Sequence, residues 1–502
     1  MSHLVLSGTL LGIEGVPVHV EVDLLRRLPS ITIVGLPGSA IRESADRVRS
    51  AIQQSGYDFP KKRVVINLAP AGLKKNGAAF DLPIAMGILA AMNKIPHKAC
   101  DDALFIGELS LSGRIRPVQG VLAFALMAKK IGIKRIFVPY ENVQEASIIP
   151  NIEVFPIQSL SQAIEQCTHK KSLYREQEIY PLDSNDLDLQ DVRGQYRCKR
   201  ALEIAAAGGH NLLMMGSPGC GKTMMALRLP SILPNPTFEE SLEITLIHSA
   251  SGKKKERGLI QKRPFRAPHH SISTSGMIGN AQLLPGEASL AHNGVLFLDE
   301  LPEFRRDVLE ALRSPIEDRE IQLVRSQGQI QFPSSFSLIA AANPCPCGYF
   351  GHPTQACRCS PRRLQSYQNK LSGPLFDRMD MHIWVDPVDI NVLMSTEKEE
   401  SSQEVRKRVH KARKRQEDRY KHSKIFCNAQ LSGKQIEEQT LLNPQAKLVL
   451  HQAMQKKNLS ARAWSKIRKI SRSIADLEGS VHICANHVHE AIQYRLPLGG
   501  AL

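Results

Sequence analysis

The run Gly216-Ser217-Pro218-Gly219-Cys220-Gly221-Lys222-Thr223 fills the pattern G-x-x-x-x-G-K-[ST] at every fixed position. Its glycines let the backbone wrap round a triphosphate, so that several N–H groups and a helix N-terminus face the anion. Lys222 would reach the outer phosphates as a point charge, and Thr223 would hold Mg²⁺. The apolar residues Asn211 to Met215 come just before, and a helix-permissive run, Met224 to Leu229, just after. That is the strand–loop–helix setting a phosphate-cradling loop needs.

Two further clusters could carry chemistry. Gly294-Val295-Leu296-Phe297-Leu298-Asp299-Glu300 is an apolar strand ending in two carboxylates. Asp299 would orient Mg²⁺ through its water shell, and Glu300 would polarise an attacking water. Cys345-x-Cys347 and Cys357-x-Cys359 form two C-x-C pairs with His352 between them. Four thiolates fit tetrahedral zinc. Structural sites more often use C-x₂-C, and reduced thiols or a redox-sensitive pair are the alternatives. Cys220 reads as a tolerated small residue of the phosphate loop.

The elements that must position these residues fall into separate units. A chain of 502 residues is too long for one core. Residues 1–168 alternate strand-like and helix-like stretches. Strands are expected over His19 to Leu24, Ile31 to Val34, Val64 to Leu68, Ala103 to Glu108 and Arg135 to Val138. Helices are expected over Ser39 to Ser55, Leu82 to Met92 and Val121 to Ile131. Residues 169–190 are polar and read as a linker. Residues 191–388 form a second α/β unit that holds the phosphate loop and the Asp299-Glu300 strand. Residues 389–502 are helical in pattern and strongly basic. Residues 401–502 hold 20 Lys and Arg against 8 Asp and Glu, most of the chain's net charge of +16. That balance points to a polyanionic partner, nucleic acid first, or to a solubilising surface. No apolar run is long enough to cross a membrane, and the start, Met1-Ser2-His3-Leu4, lacks a secretory signal's basic head and apolar body. A cytoplasmic protein with reduced cysteines is expected.

From Asp191 onward the chain resembles the AAA+ ATPases, and within them the magnesium-chelatase-like branch that holds the ComM and YifB proteins. The matching stretches are Ala201 to Thr223, Pro264 to His270, Gly294 to Phe304, Ala342 to Gly348 and Leu371 to Asp380. The resemblance implies ATP with Mg²⁺, and roles residue by residue. Asn343 corresponds to sensor 1, near the γ-phosphate. Arg378 corresponds to the arginine finger presented to a neighbouring subunit's ATP; the guanidinium fork suits charge developing on phosphate oxygens. Arg462 corresponds to sensor 2, with Arg472 as a competitor. A finger acting between subunits implies a homo-hexameric ring.

Residues 1–168 resemble the proteolytic domain of Lon, within the ribosomal-protein-S5-like fold. The likeness lies in Lys75 to Pro83, Gly107 to Ile115 and Ile131 to Pro139. Lon-type proteolysis uses a serine activated by a lysine. This chain has Ala79 and Leu122 at the matching positions, so the resemblance implies a protease fold without its protease. The expected fold class is therefore α/β: an AAA+ P-loop domain with a helical lid, preceded by an S5/Lon-like domain.

Two segments could grip nucleic acid. One is Lys253-Lys254-Lys255-Glu256-Arg257 with Lys262-Arg263. The other is Glu320 to Phe332, read as strand, turn and strand with Arg325 to Gly328 near its tip. Their cations would contact phosphates without reading bases. Aromatic residues make up 5% of the chain, too few for a base-stacking platform. Together with the resemblance, these features imply an ATP-driven motor on single-stranded or branched DNA, working with recombination proteins. Such a helicase would drive branch migration in natural transformation. A chelatase-type ATPase that remodels a protein partner is the alternative.

Overall fold

A computed structural model describes residues 3–75, 77–169, 187–252, 258–280, 282–325, 328–352, 354–371, 375–394, 398–423, 425–456 and 459–495. The Lys253–Arg257 segment and the Ser326–Gln327 tip lie outside them.

The N-terminal unit is built on a seven-stranded sheet. Its strands are β1 (His3–Leu11), β2 (Glu14–Leu25), β3 (Ser30–Val34), β4 (Arg63–Ala69), β5 (Ala103–Phe105), β8 (Arg135–Pro139) and β9 (Glu153–Ile157), in the order β3-β4-β2-β1-β5-β8-β9. A small ribbon, β6 (Glu108–Leu109) with β7 (Ile115–Arg116), stands beside it. β1 and β2 form an antiparallel hairpin closed by the pair Leu11 and Glu14. Gly12 makes that turn at φ +66°, a conformation that costs a side-chain-bearing residue. The helix Asp81–Ala91 is buried almost throughout, which matches its lack of any polar face. Phe105, Phe137 and Phe155, from three adjacent strands, stack with centroids 4.6 Å apart at each step.

The second unit holds a five-stranded parallel sheet of β10 (Leu212–Met215), β11 (Phe265–Arg266), β12 (Val295–Leu298), β15 (Ser337–Ala342) and β16 (Met381–Trp384). The order is β11-β12-β15-β10-β16. All four longer strands are buried or nearly so. They read as continuous apolar runs because helices cover both faces of a parallel sheet. β10, β15 and β12 are consecutive neighbours, so their carboxyl ends open on one edge, where α/β sheets bind ligands. A separate hairpin, β13 (Glu320–Arg325) with β14 (Gly328–Pro333), pairs Glu320 with Pro333. Ile330 and Phe332 belong to an apolar cluster against which Leu11 and Ile13 of the N-terminal hairpin also pack.

The C-terminal helices Ser402–Tyr420, Pro444–Lys456, Ala461–Glu478 and Ala485–Gln493 form the lid. Ile467, Ile470 and Ile474 sink one face of Ala461–Glu478 into the core that also contains Leu212 and Met214 of β10. The lid is joined to the sheet by buried polar contacts as well. Ser473 Oγ lies 2.7 Å from His210 Nε2, and Asn428 reaches both Ser473 and Asp476. The described residues resume at Leu187 with a capped turn. Asp188 caps Leu189–Asp191, and its carboxylate also accepts from Ser402 N at 2.7 Å. The end of the stretch read as linker is therefore fastened to the lid.

Candidate nucleotide site

The phosphate loop leaves β10 at Gly216, where a Cβ would meet the Val385 carbonyl. Gly221 takes φ +92° and starts the helix Lys222–Ile232. Lys222 is only 9% exposed. Its Nζ donates to Gly216 O at 2.8 Å, Ser217 O at 2.9 Å and Asn343 Oδ1 at 3.2 Å. These bonds hold the ammonium against the loop, where phosphate oxygens would compete with the carbonyls for it. Asn343 reaches it because β15 lies directly beside β10.

Thr223 Oγ1 donates to Asp299 Oδ2 at 2.7 Å. Asp299 Oδ1 accepts the Glu300 N–H at 2.9 Å. A hydroxyl and a carboxylate oxygen meeting at one point is a donor set that suits Mg²⁺, a hard cation that takes few protein ligands beside water and phosphate. Glu300 itself has φ +52°, and its side chain is exposed. A positive φ at a non-glycine residue is strained, and such strain gathers at functional sites. His270 Nδ1 stands 3.5 Å from Glu300 Oε2, and the His269 ring lies 4.0 Å from that of His270. His270 was not among the expected site residues. It does close the Pro264 to His270 stretch that carries the family resemblance, and it sits beside His269. Tyr367 is a second unexpected neighbour. Burial and the charges of Glu303, Cys345 and Glu300 raise its phenol above the usual range, while it takes the Asn343 backbone as a partner.

The four cysteines converge. Cys345 Sγ lies 3.3 Å from Cys347 Sγ and 3.7 Å from Cys357 Sγ, and Cys347 and Cys357 are 3.5 Å apart. With Cys359, all four sulfurs fall within 4.8 Å of one another. This is the donor set of a Cys₄ zinc site, and sulfur about 2.3 Å from a central ion is compatible with it. His352 stays apart, its Nδ1 accepting from Thr354 N and Gln355 N. Backbone N–H groups of Tyr349 and Arg358 pull the Cys347 thiol down to about 6, while burial and the neighbouring sulfurs push the Cys357 and Cys359 thiols up. The cluster touches the phosphate loop: Gly348 packs so tightly on Pro218 that a Cβ would lie 2.6 Å from its Cγ and closer still to its Cδ.

Arg378 lies on the turn Phe376–Arg378, where its Nη2 meets Glu317 Oε1 at 2.6 Å. Arg462, at the start of the helix Ala461–Glu478, is 73% exposed and pairs with Asp377 at 3.2 Å. The two arginines are thus brought to one turn. Arg472 is buried, held by Asp476 at 3.1 Å and by the carbonyls of Val481 and Ser480. Each of its three guanidinium nitrogens has a partner within the lid.

In the N-terminal unit, Ala79 lines a cavity of about 410 Å³ shared with Thr9, Lys74, Glu108 and Gln119. Leu122 is fully buried, and its N–H donates to Glu145 at 2.9 Å. Neither side chain can attack a carbonyl or accept a proton.

Comparison with known proteins follows this geometry. Residues 188–393 match the family described as magnesium chelatase, subunit ChlI. Residues 20–142 match subunit ChlI of Mg-chelatase, and residues 399–495 its C-terminal part. Competence protein ComM of Haemophilus influenzae is 41% identical over 500 residues, spanning 98% of this chain and 97% of its own. The chain belongs to the ComM/YifB family. YifB of Salmonella typhimurium is 42% identical over 493 residues, covering 97% of this chain and 95% of its own. A Lon protease of Syntrophomonas wolfei is 27% identical over 174 residues, which is 32% of this chain and 21% of that one. The ComM/YifB fold is thus an AAA+ P-loop unit with a helical lid, preceded by an S5/Lon-like unit. Among the described residues, no helix is long and apolar enough to cross a membrane.

Proposed function

We propose that this ComM/YifB chain is an ATP-driven motor that moves on DNA as a homo-hexameric ring in the cytoplasm. The observation that carries the ATPase part is the meeting of Lys222, Thr223, Asp299 and Asn343 at the carboxyl edge of three adjacent strands. Lys222 binds and orients the phosphates, and Thr223 with Asp299 holds the cation. Glu300 sits where it can take a proton from the attacking water. Arg378 reaches a neighbouring copy's ATP, which makes turnover depend on assembly, and Arg462 serves as sensor 2. Bound ATP and Mg²⁺ supply the energy of phosphoryl transfer and the charge neutralisation it needs.

The DNA reading rests on the basic C-terminal fifth of the chain and on the name of the Haemophilus relative, competence protein ComM. A branch-migrating helicase in natural transformation, helped by recombination proteins, follows from both. The Lon-like unit acts in assembly or substrate contact. The Cys₄ cluster binds one structural zinc that stiffens the turn against Pro218.

A second reading, a chelatase-type ATPase acting on a protein partner, draws on the family matches to magnesium chelatase. Strand displacement on forked and three-way DNA junctions separates the two. ATP-dependent displacement by the purified chain supports the motor. DNA-indifferent hydrolysis without displacement, stimulated instead by a protein partner, supports the chelatase-type reading.

A further inference from the structure

The turn that carries Arg378 is tied to a helix far away in sequence. Lys466, on Ala461–Glu478, donates to Asp377 O at 2.5 Å and to Met379 O at 2.8 Å. Its ammonium also lies 3.6 Å from Asp380 Oδ1. Its side chain is 13% exposed, as is that of Asp380. A cation this buried is costly unless its donors are matched, and here Asp377, Met379 and Asp380, all on one four-residue turn, match them. The carbonyls of Asp377 and Met379 flank Arg378. Holding both fixes the direction in which the Arg378 side chain leaves the backbone.

The tie continues into the nucleotide site of the same chain. Asp380 Oδ2 accepts from Asn211 N at 3.0 Å, and Asn211 immediately precedes β10, whose other end is the phosphate loop. Burial pushes the Asp380 carboxyl up, but the nearby His210, its Nδ1 3.8 Å away, the charge of Lys466 and the Asn211 N–H more than reverse this and hold it far below the usual range. Arg495 adds a further donor to Met379 O at 2.8 Å. Lid helix, arginine turn and phosphate-loop strand therefore share one buried polar joint, to which the lid contributes Lys466.

We propose that Lys466 is a positioning residue: it locks the Arg378 turn to the lid helix of its own chain and so sets where that chain presents Arg378 to the ATP of its neighbour. The proposal rests on Arg378 acting between copies. It makes the lid of one subunit the lever that moves a catalytic group of the next site.

The test uses the full-length protein and compares Lys466→Met, Lys466→Arg, Arg378→Ala and the double variant Lys466→Met/Arg378→Ala. Turnover is measured with saturating ATP, and affinity with a fluorescent ATP analogue. Lys466→Met is expected to lower kcat at least about tenfold while changing the analogue's Kd less than about twofold. Lys466→Arg is expected to restore most of the rate, since a guanidinium can reach the same carbonyls. The double variant should be no slower than Arg378→Ala alone, because both changes remove one function. If Lys466→Met turns over at the wild-type rate while Arg378→Ala does not, the proposal is overturned. Multiplied losses in the double variant overturn it too. Full turnover by Arg378→Ala removes the reading of Arg378 itself, and the proposal with it. If Lys466→Met does not accumulate folded, Lys466→Gln, which keeps one donor and no charge, carries the same comparison.

Discussion

Gly348→Ala should damage ATP binding from outside the phosphate loop. Gly348 sits between Cys347 and Tyr349 with φ +84°. A methyl there meets two costs. The left-handed conformation costs a residue with a Cβ about 1 kcal/mol. The Cβ would also stand 2.6 Å from Pro218 Cγ and nearer still to its Cδ, so the ring must retreat by about 1 Å to reach ordinary contact. Pro218 lies in the middle of the loop whose N–H groups must converge on phosphate, and displacements near 1 Å degrade such sites severely. A loss of about 1.4 kcal/mol in that interaction is tenfold in affinity. Gly351→Ala separates the two costs. Its φ is +76°, but its Cβ would meet only Trp384, at 3.6 Å. Both variants should lose a few degrees of Tm, at about 2–4 °C per kcal/mol for a unit of this size. Only Gly348→Ala should raise the KM for ATP, by about tenfold. Adding Pro218→Ala should recover part of it, because the clash is then gone. Steady-state ATPase kinetics and a melting curve decide the matter. A KM unchanged in Gly348→Ala, with the same stability loss as Gly351→Ala, refutes the coupling of the cysteine turn to the phosphate loop.

Three other outcomes are expected. Lys222→Ala should abolish hydrolysis, checked by phosphate release, since the residue holding both the loop and Asn343 is gone; retained turnover would remove the site assignment. Zinc analysis of the purified protein should give about one metal per chain, and Cys345→Ser should lower both metal content and Tm; a metal-free, fully stable protein dismisses the clip. The protein should lose stability in mild acid. Burial, together with the charges of Arg495 and Lys466, pushes His382 down to about 3 from 6.5. Below about pH 6.5 the unfolded chain takes up a proton that the folded chain refuses, so stability falls as pH drops toward 3. At pH 5 this loss is about 2 kcal/mol for His382 alone. The Tm difference between pH 7 and pH 5 should therefore shrink in His382→Gln; an unchanged difference contradicts the burial account.

The phosphate loop was legible in sequence because its chemistry fixes residue types at fixed spacing. The apolar strand before Asp299 was legible because both faces of a parallel sheet are covered. What could not be read was adjacency. Nothing local says that β15 lies between β10 and β12, which is what lets Asn343 reach Lys222. Partners distant in the chain were hidden for the same reason: His270 facing Glu300, Glu317 on Arg378, and Lys466 under the arginine turn. Local departures also have causes. The helix expected over Ser39 to Ser55 is broken at Glu43 into Ser39–Arg42 and Ser44–Gln54. The strand expected over Ala103 to Glu108 stops at Phe105, because Gly107 turns its N–H to Ala79 O. The first strand, His3–Leu11, escaped notice although its burial alternates in part, since its pairing partner begins only two residues after it ends. The cysteine pairs were visible as a metal-type spacing. Their contact with Pro218 was not, because it depends on a glycine whose only signature is the lack of a side chain.

The most direct measurement is a mixing experiment with two inactive variants. Arg378→Ala keeps its own phosphate loop and Glu300 but offers no arginine; Glu300→Gln keeps the arginine but lacks the base. If ATP is hydrolysed at junctions between copies, mixing them recovers turnover that neither has alone, and the recovery peaks at intermediate ratios. If no ratio restores hydrolysis, or if the protein hydrolyses ATP at full speed as a monomer, the shared site does not exist.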